Sequence, residues 1–489
     1  MKGHVGRLLL LTVLLMACAA GTQAWAGNTN SVPADNQLQG SYRFERNGWI
    51  YVHLEGSPAR VGYQHGCLLS NEIADLLRVV KPFYQHTTRR DWNFYRQAAE
   101  QILWPKIDPE YQQELDGIVA GLGVRGVKAD RWDIVALNAI EEMPDYYVPW
   151  LDRQKGHVAR NGAQDHCSAF VATGSYTKDH HIVIAHNNWS DYVTGARWNI
   201  IFDIKPASGY RILMDGLPGV IVSDDDFGVN SDGIMVTETT IGGFQGFDPN
   251  GSPEFFRARK ALQYSSTIDD YVRIMLDHNN GGYANDWLLG DNKSGEIALF
   301  ELGLKNHMVR RTTDGYFIGS NFPVDPKLAK EETEFNLNDP GSSANARRVR
   351  WEDLMSQNKG QIDVDLGKKF ESDGYDAFQK KEGPDERSLC GCIELSPRGV
   401  SEDWGKYFPA GTVESKVMDS TMASKMQFWA ALGHQCAGDF KAAEFLKAHK
   451  EYSWMRGLLR DMKTEPWTFF SSDMTEKFMP NSEPARAAR

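Results

Sequence analysis

The pattern of the sequence changes sharply at Cys167, and this change constrains the fold more than any other feature. Residues 152–166 show no hydrophobic periodicity, which is typical of an exposed loop. The next residues form apolar, β-rich runs at 167–174 and 181–188, joined by a turn-rich connection at 175–180. The sequence therefore predicts a hairpin that begins at Cys167, directly after a polar loop.

Strands and helices follow in runs rather than in strict alternation. Further strand-like runs lie at 197–204, 210–216, 233–241, 286–291 and 296–303. Helical patterns lie at 252–264, 267–278, 345–357 and 442–462. Grouping of this kind favours an α+β fold with an antiparallel sheet over a parallel α/β fold.

The part of the chain before Cys167 has a different character. A strand-like run at 48–56 precedes apolar residues at helical spacing, beginning with Ile73, Leu76 and Leu77. We therefore expect a mainly helical N-terminal fragment at 27–166 and a catalytic domain at 167–480. Residues 481–489 are polar and small, which predicts a disordered tail.

Composition limits the partners of this protein. The chain has 489 residues and a net charge of -12, with 41% apolar and 11% aromatic residues, as in ordinary globular proteins. Binding to phosphates needs clustered Lys and Arg, so the charge argues against nucleic acid and against permanent contact with an anionic membrane. We expect at most transient membrane contact, a small-molecule substrate, and no cofactor.

The N-terminus has the pattern of a secretory signal peptide at 1–26. Lys2 and Arg7 precede an apolar run that is too short to span a bilayer, and Ala24-Trp25-Ala26 forms an A-x-A cleavage site. A lipoprotein anchor at Cys18 is the competing interpretation, which Met16 fits poorly. We expect a soluble product, secreted or periplasmic, that begins at Gly27.

The chain after the signal keeps five cysteines, an odd number, so at least one remains unpaired. Cys390 and Cys392 are too close to pair comfortably with each other, and either could form a disulfide with Cys436. A C-x-C motif can also bind metal. Because no second cysteine pair lies nearby, we expect no metal site. The disulfide pairing among Cys67, Cys390, Cys392 and Cys436 stays open.

A nucleophilic thiol at Cys167 needs a base or a lowered pKa. A histidine is one solution, and His65, His181 and His186 are available. Cleavage between His166 and Cys167 is another, because it frees an α-amine whose ordinary pKa is about 8. The thiol could make this cut by attacking the carbonyl of His166. A buried, inert cysteine at the start of a strand is the alternative.

Several motifs in order resemble those of the phospholipase B-like proteins. They are "DHCSAF", "AHNNWSDY", "SGYRILMDGLPGVIVSDDDFGV", "GIMVTETTIGGF" and "NNGGYANDW", within a region from about residue 60 to residue 438. The motifs more distantly resemble the acyl-coenzyme A:6-aminopenicillanate acyltransferase group of cysteine peptidases. Both belong to the N-terminal nucleophile hydrolases. The resemblance implies a four-layer αββα sandwich, autocatalytic cleavage before the cysteine, and hydrolysis of an acyl bond.

The resemblance also implies roles for particular residues. Cys167 matches the nucleophile, and the second strand of the hairpin supplies the group that contacts the new α-amine. The candidates for that group are His186, Asn187, Asn188 and Trp189. We favour Asn188; many acyltransferase relatives carry an Asp near here, and Asp191 is a further alternative. His186 is also explained as a satisfied, partly buried histidine.

Other site residues come from separate segments. Asn285 matches the Asn with which relatives form the oxyanion hole, and Arg347 lies where relatives place a supporting Arg. Thr239 or Thr240 ends a strand that reaches the site, and His65 lies in the "GYQHG" segment that lines the substrate entrance. Each has an alternative explanation. Asn285 could be an ordinary loop residue, and Arg347 could lie on a solvated basic helix face. The threonines could be sheet surface, and "GYQHG" could be a glycine-framed turn.

The sequence thus predicts a self-processing cysteine hydrolase that cleaves acyl esters of lipids through a thioester on Cys167. Its two fragments are expected to stay associated after cleavage. An amidase or acyltransferase acting on N-acyl compounds is the first alternative, because the same thioester serves amides. A non-catalytic envelope binding protein with the same fold is the second.

Overall fold

The structure is a computed structural model that describes residues 36–156, 167–224, 227–401 and 404–475. The described residues from Gln37 onward cluster as one compact unit. Two large β-sheets with helices confirm the predicted α+β class. The predicted signal peptide, the cleavage position at His166 and the tail at 481–489 lie outside the described residues. Among the described helices, none has the length and apolar character needed to cross a membrane.

The strands are numbered β1–β17 in chain order. They are β1 Tyr42–Arg46, β2 Trp49–Gly56, β3 Ser168–Thr173, β4 Val183–Asp191, β5 Ile200–Pro206, β6 Ile212–Gly216, β7 Gly228–Asn230, β8 Ile234–Thr240, β9 Asn285–Asp291, β10 Glu296–Leu302, β11 His307–Thr312, β12 Gly315–Gly319, β13 Tyr375–Asp376, β14 Lys381–Glu382, β15 Ala410–Asp419, β16 Gln427–Leu432 and β17 Thr468–Ser471.

The helices are numbered α1–α14 in the same way. They are α1 Pro58–Leu68, α2 Ser70–Thr88, α3 Trp92–Ala98, α4 Pro109–Val124, α5 Arg131–Asn138, α6 Val148–Gln154, α7 Tyr192–Gly195, α8 Glu254–Tyr264, α9 Ile268–Leu276, α10 Pro326–Glu332, α11 Ser343–Gln357, α12 Val364–Glu371, α13 Ser420–Ala423 and α14 Ala442–Ala448.

The larger sheet joins the two sides of the predicted cleavage position. Its nine strands lie in the order β1-β2-β5-β6-β7-β8-β9-β10-β11. Strand β2, from before Cys167, pairs in parallel with β5, from after it, through the register Tyr51↔Ile201. The neighbouring pairs are antiparallel. The segment before Cys167 therefore contributes two strands to the nine-stranded sheet in addition to its helices.

The smaller sheet is built around the strand that follows Cys167. Its order is β12-β3-β4-β15-β16-β17, and its neighbouring strands are antiparallel. The hairpin of β3 and β4 is the one that the sequence predicts. A register shift in β15 between Thr412 and Glu414 marks an irregularity opposite the end of β4. Strand β4 thus lies in the interior of the sheet, paired on both sides.

The two sheets share a hydrophobic core. Alternate residues of the nine-stranded sheet, such as Ile201 and Leu288, pack in one cluster with Val171 and Ile184 of the six-stranded sheet. Because side chains in a strand point alternately to opposite faces, the other residues of each sheet pack outward. Helices including α1, α2, α4, α8 and α9 pack on the outer face of the larger sheet, and α11 and α12 pack on the outer face of the smaller one.

Some predicted loops contain helices. The region from residue 152, predicted to be an exposed loop, still belongs to α6 as far as Gln154. The polar composition of residues 327–343 also predicts a loop, but this stretch contains most of α10. At the start of that helix Asp325 accepts a hydrogen bond from the Lys327 N–H, and Leu328 is buried. A single buried apolar side chain and a capping aspartate suffice for a short helix, and neither produces a clear period.

Helices α1 and α4 approach so closely that their contact is made by glycine. An ideal Cβ added to Gly62 would lie 1.8 Å from the Glu114 carbonyl oxygen, and one added to Gly66 would lie 2.1 Å from that of Ile118. Gly117 and Gly121 face the α1 backbone in the same way. The "GYQHG" segment is thus a buried part of α1 and not the glycine-framed turn given as its alternative.

This contact gives a stability test with an internal control. We expect Gly62→Ala to lower the free energy of unfolding by about 3 kcal/mol, because the methyl group overlaps backbone that cannot move aside. Gly123 lies in the exposed last turn of α4, and a Cβ added there meets nothing within 4 Å. Gly123→Ala should therefore raise the free energy of unfolding by about 0.5–1 kcal/mol. Urea denaturation of both variants measures the difference. Equal effects of the two substitutions would contradict the close packing.

Candidate active site

Cys167 lies at the junction that the sequence predicts, immediately before β3. Its φ angle is +73°, in the left-handed region that non-glycine residues seldom adopt, and it is 1% exposed. Its sulfur lies within 4.8 Å of a carboxylate oxygen of Glu238 on β8, so the thiol faces the nine-stranded sheet. Among the described cysteines, Cys390 and Cys436 form a disulfide, whereas Cys167 remains a thiol.

Strand β4 places two of its polar residues beside this thiol. The Cys167 Sγ atom lies 4.0 Å from Oδ1 of Asn188. The sulfur, a ring nitrogen of His186 and a carboxylate oxygen of Glu238 all lie within 4.8 Å of one another. His186 and Asn188 alternate along β4 with residues of the opposite face. The structure therefore brings together the thiol, an amide, an imidazole and a carboxyl group.

The other candidates on β4 face away from the thiol. Asn187 donates through Nδ2 to the carbonyl oxygens of Glu371 and Leu389, and Trp189 donates through Nε1 to that of Leu389. Asp191 accepts from the backbone N–H groups at the start of α7. Of the groups considered for contact with the α-amine, Asn188 and His186 thus share the face of Cys167.

Arg347 holds the backbone of the cysteine. This residue of α11 is fully buried, and its Nη1 donates to the Cys167 carbonyl oxygen at 2.6 Å. Its Nη2 donates to Oδ1 of Asn321 at 2.8 Å and its Nε to Oγ of Ser343 at 3.0 Å. The guanidinium also lies over the Trp189 ring, 4.2 Å from its centroid. One side chain thereby fixes the cysteine, β4 and the segment around Asn321.

Asn321 is a site residue that the sequence did not single out. It follows β12 with a φ of +72°, and its Nδ2 donates to the carbonyl oxygen of Thr240 at 2.8 Å. Asparagine tolerates the left-handed region better than most residues. An Asn directly after a short strand was the sequence feature that could have drawn attention to Asn321. Nothing in its sequence spacing from Cys167 or Arg347 indicated a contact with either residue.

The ends of β8 and β9 bring the remaining polar candidates together. Thr240 is directly opposite Asn285 in the register of these strands. Both side-chain polar atoms of Asn285 are buried and have no hydrogen-bond partner among the described residues, and the same holds for the hydroxyls of Thr239 and Thr240. Leaving such groups unsatisfied costs about 1–3 kcal/mol each. No described contact joins Asn285 to Cys167, so its oxyanion role stays a prediction.

His65 lies elsewhere. Its Nε2 accepts a hydrogen bond from the Gly219 N–H at 2.8 Å, and its ring packs on Phe202. Burial lowers the pKa of His65 to about 3, assisted by the charge of Arg259. His65 is therefore a neutral histidine satisfied within the helical layer, and no described contact connects it to Cys167.

A buried ionic cluster beside β4 connects the two sheets. Lys416 of β15 is directly opposite His186, and Glu414 is opposite Asn188. The Lys416 ammonium lies 2.9 Å from Asp215 and 2.5 Å from Glu414, and all three side chains are fully buried. Side chains directly opposite each other in an antiparallel pair are neighbours. Fixed charges therefore surround the polar face of β4, a feature that sequence spacing did not reveal.

A cleft opens two residues beyond Asn188 on β4. It has a volume of about 280 Å³ and is lined by Ser190 and Asp191. Its other walls carry aromatic side chains together with polar and charged ones. They include Phe83, Tyr84, Trp404, Phe408, Tyr452 and Trp454, and also Arg89, Glu141 and Asp145. Residues at i and i+2 of a strand face the same side, about 6.6 Å apart. The cleft thus lies at the end of β4, and Cys167, Asn188 and Asn285 are not among its lining residues.

Comparisons with known proteins identify two kinds of relative. A family model described as Phospholipase B matches residues 71–300. Phospholipase B-like 1 of Bos taurus is 25% identical over 346 residues, which are 58% of this chain and 62% of that protein. An uncharacterized protein of Archaeoglobus fulgidus is 24% identical over 323 residues, or 62% of this chain and 51% of its own length.

A second kind of relative is an acyltransferase. The 40 kDa form of acyl-coenzyme A:6-aminopenicillanic-acid-acyltransferase from Emericella nidulans is 25% identical over 246 residues, 48% of this chain and 58% of that protein. The resemblance inferred from the motifs is therefore confirmed for both groups. The chain spans less than two thirds of the length of each of these relatives.

The contacts of Arg347 predict a specific sensitivity. Arg347→Lys keeps the charge but cannot donate to three separated acceptors, so we expect the free energy of unfolding to fall by about 3 kcal/mol. Arg348→Lys is the matched control, because Arg348 makes an ion pair with Glu352 and lies over the Phe322 ring, two contacts that a lysine can also make. It should change stability by less than about 0.5 kcal/mol. Urea denaturation compares the two; equal losses would contradict the buried network.

Proposed function

We propose that the chain is a self-processing cysteine hydrolase of the N-terminal nucleophile type that cleaves acyl ester bonds of lipids. The observation that carries the proposal is the surroundings of Cys167. Its sulfur lies 4.0 Å from Asn188 Oδ1, and its carbonyl oxygen is held by the buried Arg347. The relatives named phospholipase B-like support a lipid ester as the substrate.

The layering of the molecule supports this class. Helices, the nine-stranded sheet, the six-stranded sheet and a second set of helices pack through three hydrophobic clusters. A four-layer αββα sandwich of the N-terminal nucleophile type has the same arrangement. The thiol precedes a central strand of one sheet and faces the other, where a new chain end would be enclosed by two sheets.

Self-cleavage would proceed by attack of the Cys167 thiol on the carbonyl carbon of residue 166. The C–S bond forms as the C–N bond breaks, and the proton of the thiol passes to the departing nitrogen. Water then hydrolyses the thioester, which leaves a carboxylate on residue 166 and an α-amine on Cys167. The left-handed φ of Cys167 stores about 1–3 kcal/mol that cleavage can release.

The same groups then serve the acyl substrate. The free α-amine takes the proton of the thiol, and the sulfur attacks the ester carbonyl. The alkoxide leaves with that proton, and water hydrolyses the thioester to regenerate the thiol. Asn188 orients the α-amine, and Asn285 together with a backbone N–H stabilises the oxyanion. Arg347 acts as a positioning residue through the carbonyl group of Cys167.

The cleft beside β4 supports an apolar acyl substrate. Its aromatic side chains, which lie among polar and charged ones, offer apolar surface to an acyl chain. The shared nine-stranded sheet supports continued association of the fragments, because separation would break the β2–β5 pair. Secretion, as predicted from residues 1–26, is part of the same proposal.

An amidase or acyltransferase acting on N-acyl compounds is the second candidate. The match to the Emericella nidulans acyltransferase favours it. A thioester intermediate serves amides and esters equally, so the site geometry does not separate the two. The choice depends on the substrate that the cleft accepts.

Substitution of the nucleophile tests the self-cleavage. We expect wild-type protein to run as two fragments, Cys167→Ala as one intact chain, and Cys167→Ser to process slowly. Cys67→Ala is the matched control, because Cys67 is also a buried thiol, with its sulfur on the Gly121 carbonyl oxygen. Gel electrophoresis with intact-mass measurement reads the result. A Cys167→Ala protein cleaved like wild type would exclude this mechanism.

Competition between substrates tests the bond that is cleaved. With phosphatidylcholine and an N-acyl amino acid present together, we expect free fatty acid to come predominantly from the phospholipid, with none from Cys167→Ala. Predominant release from the N-acyl amino acid would favour the amidase. If neither substrate reacts and a thiol probe at neutral pH leaves Cys167 unlabelled, the non-catalytic alternative stands instead.

A further inference from the structure

A second cluster of metal-binding side chains lies away from Cys167. The ligand atoms of Cys392, Glu394 and His434 all lie within 4.8 Å of one another, and the three residues are buried. Cys392 is a thiol, and each of the three groups is an ordinary zinc ligand. The proposed hydrolase does not use any of these residues.

The disulfide brings the ligand-bearing segments together. Cys390 and Cys436 are bonded. Cys392 lies two residues after the first of these cysteines, and His434 lies two residues before the second. The Sγ atom of Cys392 is 4.0 Å from that of Cys436. The Cys390–Cys436 disulfide therefore holds the segments of Cys392 and His434 together without using either residue as a partner.

Tyr192 of α7 orients two of the three groups. Its hydroxyl lies 2.6 Å from Oε2 of Glu394 and 2.6 Å from Nε2 of His434. The other atoms of these groups, Glu394 Oε1 and His434 Nδ1, lie 3.7 Å apart. Histidine ligands of metals commonly use their second nitrogen in a hydrogen bond of this kind, which fixes the ring and its tautomer.

The distances suit a single small ion. Atoms bound at about 2.0–2.3 Å to a tetrahedral zinc ion lie about 3.3–3.8 Å from one another. The 3.7 Å between Glu394 Oε1 and His434 Nδ1 already falls in this range. Since no two ligand atoms of the cluster are more than 4.8 Å apart, they need to move together by about 1 Å at most. Charge also balances, because a thiolate and a carboxylate with a neutral imidazole carry two negative charges against a dication.

We propose that Cys392, Glu394 and His434 bind one divalent transition-metal ion, such as Zn²⁺. Binding displaces the thiol proton and any proton on the carboxyl group to solvent, and no redox step is involved. With Cys436 held in the disulfide, the fourth position of the ion is left to a solvent molecule. The ion would tie the segments of Cys392 and His434 to each other beside Tyr192.

Titration of the full-length chain with Co²⁺ and Zn²⁺ tests this site. We work in the Cys167→Ala background, because Cys167, His186 and Glu238 form another cluster within 4.8 Å. We expect one Co²⁺ per chain, with the near-ultraviolet charge-transfer band of a thiolate ligand, and displacement of that Co²⁺ by Zn²⁺. Cys392→Ser should abolish the band, and His434→Gln should weaken binding.

The conservative variant and the control distinguish a metal site from general damage. Tyr192→Phe should keep the band and weaken binding about 10–100-fold, as loss of an outer hydrogen bond to a ligand does. Cys67→Ser should bind as tightly as the parent. The proposal fails if the Cys167→Ala protein shows no charge-transfer band with Co²⁺ although alkylation shows Cys392 to be a thiol. It also fails if adding Cys392→Ser leaves that band in place. Weakening by Cys67→Ser as large as that by His434→Gln would also overturn it.

Discussion

The hydrogen bond from Arg347 to the carbonyl oxygen of Cys167 is the interaction on which the candidate site depends. A buried guanidinium is costly unless its donors are paired, and Arg347 pairs with acceptors from three segments. The cost of burial is offset only when all three acceptors are in place. The arginine therefore couples the position of the cysteine to the packing of α11 against the six-stranded sheet.

The two sides of the predicted cleavage position are built into one core. Strands β1 and β2 complete the nine-stranded sheet, and α1 packs against α4 through glycines. A cut before Cys167 would leave these contacts intact. The large buried interface explains how a chain could be broken at the nucleophile and keep the geometry of the site.

Much of the fold could be predicted from the sequence, because long strands and amphipathic helices leave a period. The β3–β4 hairpin and the position of Cys167 before it followed from the alternation at 167–188. The helix that carries Arg347 was also visible as a pattern, although the expectation that Arg347 supports the site rested on the resemblance. Local patterns thus identified the elements, whereas long-range pairing was accessible only through relatives.

The remaining features depend on contacts between distant segments. Asn321 reaches Arg347, and Lys416 reaches Asp215, through packing that no spacing encodes. His65 attracted attention as an available histidine and instead satisfies a backbone N–H in the helical layer. The metal site proposed at Cys392 would likewise join groups that spacing does not connect, because His434 lies far along the chain.

Identification of the residue that begins the second fragment tests the central claim most directly. Intact-mass and N-terminal analysis of purified wild-type protein should find a chain whose first residue is Cys167, with its thiol and α-amine both free to react. A homogeneous full-length chain that retains the bond between His166 and Cys167, and that nevertheless hydrolyses acyl substrate, would contradict the account.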